Sequence, residues 1–332
     1  MQETVQEIKQ DNERAMIARI ESALTRGADD YFRKHEFVRI PTVPHVVGIT
    51  GACENIDTLF KVNYFGQNGY LTQTGQLALE LQIPELKKVC CEIHSFRAEQ
   101  EADGRHLTEF PLVEFEFGYE GEGLPQLLDH IEGTIKAMMK ATLKEELTLR
   151  KLRANPERIK HMLKEPFARI EYRNAVKLLQ ELGFEVEFGD DLKHNHEQAV
   201  VKATGKPTFI MKYPEKIKFF NMRRERNDEE VVQSADLILP LSGESVGSAV
   251  REENPELLME KLLNSNMYKL HIARGGTLED FKWYLDAVKA NPVPHAGCGI
   301  GLSRVTQCVL GREDIRKSTA YPMNCQTSLN NI

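Results

Sequence analysis

Apolar residues between Asn12 and Lys34 fall at Met16, Ile17, Ile20, Leu24, Tyr31 and Phe32, close to helical spacing, and predict an amphipathic helix. Leu59 to Tyr64 and Gly69 to Thr74 predict two strands around a turn at Gly66 to Gly69. The segment Leu71 to Leu77 then opens a helix for which Thr74 is the expected cap. From Leu124 to Leu152, Leu127, Leu128, Ile131, Ile135, Met138 and Met139 share one face, so a single long helix is expected, its methionines in the core. Ile170 to Leu182 predicts another helix, stopped by Gly183. Residues 185–205 look like an insertion with a second helix at about 196–203. Neither a repeat nor a linker long enough to separate two independent domains is visible.

The stretch from Ser95 to Glu116 carries most of the chemistry. A strand ending at Phe96 delivers Arg97 and Glu99. A polar loop with Asp103-Gly104 follows, and a second strand alternates Phe110, Leu112, Glu114 and Glu116. Such a hairpin gathers an arginine, a histidine (His106), carboxylates and an aromatic ring on one rim, the groups that hold a triphosphate, stack a base and grip an ammonium. The same composition also describes a solvated surface hairpin with ordinary ion pairs. Two further segments add to it. Trp283-Tyr284-Leu285-Asp286 precedes Pro294-His295-Ala296-Gly297-Cys298-Gly299-Ile300-Gly301-Leu302-Ser303-Arg304, whose glycines let a ligand lie against bare backbone. Residues 236–252 place Asp236, Gly243-Glu244 and Arg251 on what look like adjoining strands. Carboxylate oxygens suit magnesium, and a planar arginine suits a carboxylate.

Phe96-Arg97-Ala98-Glu99, a variable loop, Arg105-His106-Leu107-Thr108-Glu109-Phe110 and Glu114-Phe115-Glu116 together resemble motif 2 of the class II aminoacyl-tRNA synthetases, nearest to the aspartyl/asparaginyl branch. Residues 283–304 resemble motif 3, and Phe37 to Pro44 resembles motif 1, with Val43 where the motif proline usually stands. The resemblance covers about residues 14–322. It implies an α+β fold, a class II antiparallel sheet flanked by helices, with a small helical insertion at about residues 120–205, all in one catalytic domain over residues 1–332. It also implies ATP as co-substrate, magnesium on Asp236 and Glu244, and a homodimer. Arg97 is expected on the α-phosphate, Glu99 near the adenine amino group and His106 near the outer phosphates. Adenine is expected between Phe110 and Arg304. Catalysis falls to Arg97, Arg304 and Glu244 by electrostatic stabilisation and positioning. Glu54, Gln76, Glu114, Gly247, Ser248, Arg251 and His295 are the implied amino-acid contacts.

Several positions depart from that pattern. Only about a dozen polar residues precede the first helix, so the anticodon-binding barrel of the resembled enzymes is expected to be missing and tRNA is not the expected acceptor. Leu79 stands where aspartyl enzymes carry a lysine, and Glu114 and Leu79 are both asparaginyl-like. Ser248-Ala249-Val250-Arg251 replaces the usual Gly-Ser-Gln-Arg, and Ser303 replaces an acid, as in ammonia-dependent asparagine synthetase, a relative of the same core. Met323 replaces an arginine. The expected activity is therefore asparagine synthesis from aspartate, ATP and ammonia. The alternatives are an asparaginyl-tRNA synthetase-like core that activates asparagine or a related amino acid for tRNA or another acceptor, and a non-catalytic paralogue that binds amino acid or nucleotide.

Composition adds limits. The 332 residues are 41% hydrophobic, and their net charge of −7 does not favour a broad nucleic-acid footprint. The one basic run, Lys212 to Arg226, also resembles a core segment of the family, and that structural reading is preferred. No apolar run is long enough for a membrane span and Met1 to Arg14 lacks the apolar region of a signal peptide. Cysteines 53, 90, 91, 298, 308 and 325 form no Cys-x-x-Cys pair, which fits a reduced, cytoplasmic protein. Cys90 and Cys91 are expected to point to opposite faces of a strand. His194 and His196 have no third ligand nearby and look like ordinary surface histidines.

Overall fold

A computed structural model describes residues 2–49 and 56–329, with side chains described from Asn12 onward in the first helix. Cys53 and the expected amino-acid contact Glu54 lie outside the described residues. Eight strands form the central sheet: β1 (Val38–Arg39), β2 (Lys88–Phe96), β3 (Glu109–Gly118), β4 (Ala168–Glu171), β5 (Thr208–Met211), β6 (Ser234–Leu239), β7 (Gly243–Val250) and β8 (His295–Gly301). Their order is β1-β2-β3-β8-β7-β6-β5-β4. The six inner strands run antiparallel to one another, and the two edge strands β1 and β4 run parallel to β2 and β5.

Alternation along β3 explains what the sheet separates. Val113, Phe115 and Phe117 turn toward one face and join a core with Ile20 and Leu24 of α1 (Gln2–Lys34). Leu127, Ile131 and Ile135, further along the chain, complete that core. Leu112, Glu114 and Glu116 turn to the other face, where Leu112 packs against Leu79 and Ile83. A two-residue period thus makes one surface apolar and leaves carboxylates on the opposite one. Cys90 and Cys91 follow the same rule: the first joins the helix-side core, the second the cluster on the other face.

Several expected elements end elsewhere. The hairpin runs over Lys61–Tyr64 and Gln67–Leu71, and its turn sits on Phe65 and Gly66, both left-handed at φ 52° and 87°. A two-residue turn of that hand matches strand twist, which moves the turn ahead of the predicted position. Helix α2 (Gln76–Glu80) has Gly75 at its N-cap, although the Thr74 hydroxyl accepts the Gln76 N–H at 3.0 Å.

The long helix predicted to Leu152 is interrupted. α3 (Gly123–Thr142) ends in a tight turn at Leu143–Glu145 and a short helix, Glu146–Lys151, follows. The Thr142 hydroxyl donates to the Met139 carbonyl, a bond that favours bending, and the bend keeps Leu149 and Leu152 in the same core as Met139. Residues 168–171, partly assigned to the next helix, are edge strand β4, and α4 (Tyr172–Glu181) begins one residue later. It stops before Gly183, at φ 86°. Residues 120–205 therefore supply a sheet strand as well as helices. α5 (His194–Thr204) ends at the left-handed Gly205, and α6 (Leu302–Leu310) follows β8 directly. Among the described residues, no helix is long and apolar enough to cross a membrane.

Candidate active site

Opposite the helical layer, the sheet floors a cleft of about 530 Å³. Arg97, Glu99, His106, Phe110, Asp236, Glu244 and Arg304 line it, together with Gln76, Glu114, Gly247, Ser248 and Arg251. Residues from four separate stretches of sequence are thus brought together. His295 stands behind this wall rather than on it.

One end is built by the β2–β3 hairpin. Arg97 N donates to Thr108 O at 2.8 Å and Glu99 N to Arg97 O at 2.8 Å, which turns both side chains off the strand edge. Asp103 closes the loop, accepting from the N–H groups of Arg105 and His106 at 2.8 Å each and lying 2.9 Å from His106 Nδ1. Burial pushes its carboxyl upward, but those bonds outweigh it and hold Asp103 below the usual carboxylate range. Ile315 N donates to Gly104 O at 2.8 Å and pins the loop tip. Arg97, rather than Arg304, lies over the Phe110 ring, its guanidinium 5.5 Å from the centroid. Arg304 donates to the Glu244 carbonyl from the first turn of α6, and Arg105 adds another cation to the same wall.

Carboxylates gather on the neighbouring strands. Asp236 is 4% exposed and accepts from Lys218 Nζ at 2.6 Å. Burial drives its carboxyl up to about 7, Lys218 opposes that, and Glu244 adds to it. Glu197 of α5 is likewise pushed up to about 7, first by burial and then by Glu244. Its Oε2 accepts the Glu244 N–H at 3.1 Å, and the adjoining Gly243 holds a left-handed φ of 76° that side chains rarely adopt. Partly desolvated carboxylates that repel one another are the donor set a hard divalent cation relieves, and Asp236 and Glu244 fit magnesium in that sense.

The other end is closed and tightly paired. Glu114 accepts from Thr74 Oγ1 at 2.6 Å and from Gly75 N at 2.7 Å, while burial raises its carboxyl to about 6. Arg251 donates to Glu116 through Nη2 at 2.5 Å and Nε at 3.3 Å, and lies 3.7 Å from Glu80. Glu80 in turn accepts from Gln76 at 2.7 Å, Tyr284 OH at 2.7 Å and Asn221 at 3.2 Å, with His295 Nε2 at 3.3 Å. Burial raises Glu116 to about 7, whereas His295 and Arg251 overcome burial at Glu80 and hold it low.

Gly297 makes the clamp possible, because a Cβ there would lie 2.1 Å from the Glu116 carboxyl carbon. Glu80, Glu116 and His295 offer ligand atoms within 4.8 Å of one another. Arg251 already fills their midst with positive charge, so these groups are a buried ion-pair network rather than a metal centre. The Ser248 hydroxyl, expected beside the amino acid, instead donates to Ala235 O at 2.5 Å.

Sequence reasoning missed Glu80, Glu116, Glu197, Lys218 and Arg105 as site residues. Glu80 stands four residues past Gln76 on one helix face and Glu116 two past Glu114 on one strand face, so periodicity held a signal for both. Glu197 and Lys218 gave none, being brought in by tertiary packing. Much of the basic run 212–226 is paired within the fold, with Lys212 on Glu171 at 2.8 Å, Arg223 on Glu253 at 2.8 Å and Arg224 on Glu215 at 2.9 Å.

The chain matches the family model for class II tRNA synthetases (D, K and N) over residues 2–325. It is 33% identical over 310 residues to the asparagine--tRNA ligase of Thermococcus gammatolerans, covering 93% of this chain and 69% of that protein. It is 34% identical over 308 residues to that of Pelotomaculum thermopropionicum, covering 92% and 68%. The asparaginyl-tRNA synthetase of Pyrococcus horikoshii complexed with asparaginyl-adenylate superposes with a TM-score of 0.86 at 31% identity, covering 96% of this chain and 70% of that one. The corresponding Entamoeba histolytica complex gives 0.81 at 29% identity, covering 95% and 68%.

Proposed function

The chain belongs to the class II tRNA synthetase family, whose members here are ATP-dependent, AMP-forming ligases, and we propose that it adenylates aspartate on its side-chain carboxylate and passes the acyl group to ammonia, giving asparagine. The observation that carries this reading is the charge pattern at the closed end of the cleft. Glu80, Glu114 and Glu116 face Arg251 and His295 there, both signs within one buried network. A zwitterionic head group matches that end, with its ammonium on Glu114 and its carboxylate on the free edge of Arg251. A lone side-chain carboxylate does not, since it would meet more acid than base, and Leu79 offers it no charge.

With the head held there, the side-chain carboxylate of aspartate reaches toward Arg97. Its oxygen bonds to the α-phosphorus and pyrophosphate leaves. Arg97 steadies the charge on the α-phosphate, and His106 and Arg304 that on the outer phosphates. Asp236 and Glu244 would hold magnesium, which would supply neutralisation of phosphate charge. The ammonia nitrogen then bonds to the acyl carbon, AMP departs and one proton is released. The working unit is a cytoplasmic homodimer joined through the segment Phe37 to Pro44, and no tRNA is needed.

A second reading draws on the relatives, which are named as asparagine--tRNA ligases. An asparagine side chain would give its amide N–H to Glu114 and its carbonyl to Arg251, turning the α-carboxylate toward Arg97 for transfer to tRNA. The two orientations are separated by supplying aspartate or asparagine with ATP, with and without ammonia. AMP release that needs both aspartate and ammonia supports asparagine synthesis. Pyrophosphate exchange with asparagine, and no AMP from aspartate and ammonia, replaces it with asparaginyl-adenylate formation.

A further inference from the structure

The loop between β2 and β3, residues 97–108, carries Arg97, Glu99, Arg105 and His106 into the cleft. Its internal bonds are short in range: those of Asp103, Glu99 N to Arg97 O, and Gln100 Nε2 to Ala98 O at 3.0 Å. Ala98 N also reaches Thr58 O at 2.8 Å. The remaining anchors come from far along the chain, beyond α6. Ile315 holds the loop tip at Gly104, and residues 323–325 hold both of its arms. Met323 pairs with Glu109 as an isolated antiparallel bridge, and its carbonyl accepts the Thr108 N–H at 2.9 Å. The Thr108 carbonyl in turn accepts the Arg97 N–H, so this bridge is one residue away from the cation that meets the α-phosphate. On the other arm Cys325 Sγ donates to Gln100 O at 3.3 Å. A turn stiffens the anchoring segment itself. Thr327 N donates to Asn324 O at 3.0 Å, Asn324 N to Thr327 Oγ1 at 2.9 Å and Gln326 N to Asn324 Oδ1 at 2.9 Å. A charged loop that must order itself on a ligand loses affinity to that ordering, and outside anchors remove the loss beforehand.

We propose that residues 323–327 are a positioning strap for this loop, holding Arg97, Arg105 and His106 ready for ATP without touching the nucleotide themselves. The assignment rests on the adenylation reading, because it takes ATP as the occupant of the hairpin end. Met323 stands where the resembled family carries an arginine, and the strap works through its main chain, so that replacement does not remove it. The closed end is braced by the pairing of Arg251 and His295 with Glu116 and Glu80, to which the strap gives no bond. The strap therefore acts on the nucleotide and leaves the amino acid alone.

The test compares the full chain with one ending at Ala320, which keeps the Thr319 and Ala320 groups that bond Glu21. ATP with magnesium, and separately aspartate and asparagine, are titrated calorimetrically into each. The expected result is an ATP affinity roughly tenfold lower in the shortened chain, the scale of ordering a few side chains on binding. Amino-acid affinity is unchanged, a split that a general loss of structure would not produce. Equal ATP affinity in the two chains overturns the inference and leaves the adenylation reading in place. Equal weakening of ATP and amino acid overturns it as well, since the segment then serves the fold as a whole. Hydrogen exchange on the full chain tests the strap without any variant. The Thr108 amide is expected to be protected, and a Thr108 amide that exchanges as freely as an open loop overturns the inference. A full chain that binds no ATP overturns both the strap and the adenylation reading.

Discussion

The two ends of the cleft are stabilised in opposite ways. At the hairpin end Arg97 and Arg105 are exposed, His106 is half-buried, and the order of the loop comes from local bonds such as those of Asp103 to residues two and three positions away. At the closed end Glu80, Glu116, Arg251 and His295 are 5%, 1%, 4% and 6% exposed, and they lie on α2, on β3, just past the end of β7 and on β8. The hairpin keeps its charges available to a ligand. The closed end spends most of its charge on itself, so a ligand there meets a preset edge of Arg251 and Glu114. Binding and folding are therefore separable at the first end and joined at the second.

The largest effect falls on Arg97→Ala. Removal of one preorganised donor to developing charge costs on the order of 10²–10³ in rate, and amino-acid-dependent pyrophosphate exchange is expected to drop by that factor. The urea midpoint should match wild type, because among the described residues the exposed Arg97 side chain contributes its contact over Phe110 alone. Near-normal exchange in this variant would break the assignment of the hairpin to the α-phosphate.

Glu116→Ala probes the other end. It strips Arg251 of its closest partner in a dry setting, leaving a buried charge with only Glu80 at 3.7 Å. Loss of one member of such a pair costs about 3 kcal/mol or more. The expected outcome is a fall of that size in unfolding free energy with loss of amino-acid binding, while ATP affinity measured on the folded fraction stays put. Equal stability of variant and wild type would mean the clamp contributes nothing to the fold, and the contrast between the two ends would collapse.

Glu114 allows a pH test. Its folded carboxyl is raised to about 6 from 4.5, chiefly by burial, so the protonated form is the one the fold favours. Its contribution to stability is fully present below about pH 4.5 and is lost as pH rises through 6. A shift of that size is worth about 2 kcal/mol. Glu114→Gln has no proton to take up. The unfolding free energy of wild type relative to this variant should therefore gain about 2 kcal/mol as pH falls from about 7 to 4.5. A difference that stays flat across that window would show Glu114 to be better solvated than its position implies.

These tests also mark what could be read from the sequence. Alternation at Leu112 to Phe117 announced both the helix-covered face and the carboxylate face, because a strand's two-residue period is local. The hairpin residues were legible for the same reason, since turn chemistry and strand ends lie close together in the chain. The closed end was not, because Glu80 meets Tyr284 across 204 positions and Arg251 meets Glu116 across 135. No spacing rule reaches that far, so the pairing of Arg251 and His295 with Glu116 and Glu80 has no local signal. The helix break after Thr142 was missed because apolar spacing continues through it, and only the demand to keep Leu149 on the core bends the chain.

The smallest expected effect sharpens the comparison from the hairpin side. His106 is 40% exposed at its side chain, as is its partner Asp103, a solvent-exposed contact of the kind worth less than about 1 kcal/mol. Asp103 keeps its two backbone bonds to Arg105 and His106 whatever side chain stands at position 106. His106→Ala should therefore leave unfolding free energy within about 0.5 kcal/mol of wild type. If the ring reaches the outer phosphates, the KM for ATP rises a few-fold while that for the amino acid does not move. Steady-state kinetics with each substrate varied in turn reads this directly. A loss confined to the amino-acid KM would place His106 in the wrong half of the cleft, and a loss of stability with no change in either KM would make the hairpin a structural loop like the closed end it is contrasted with.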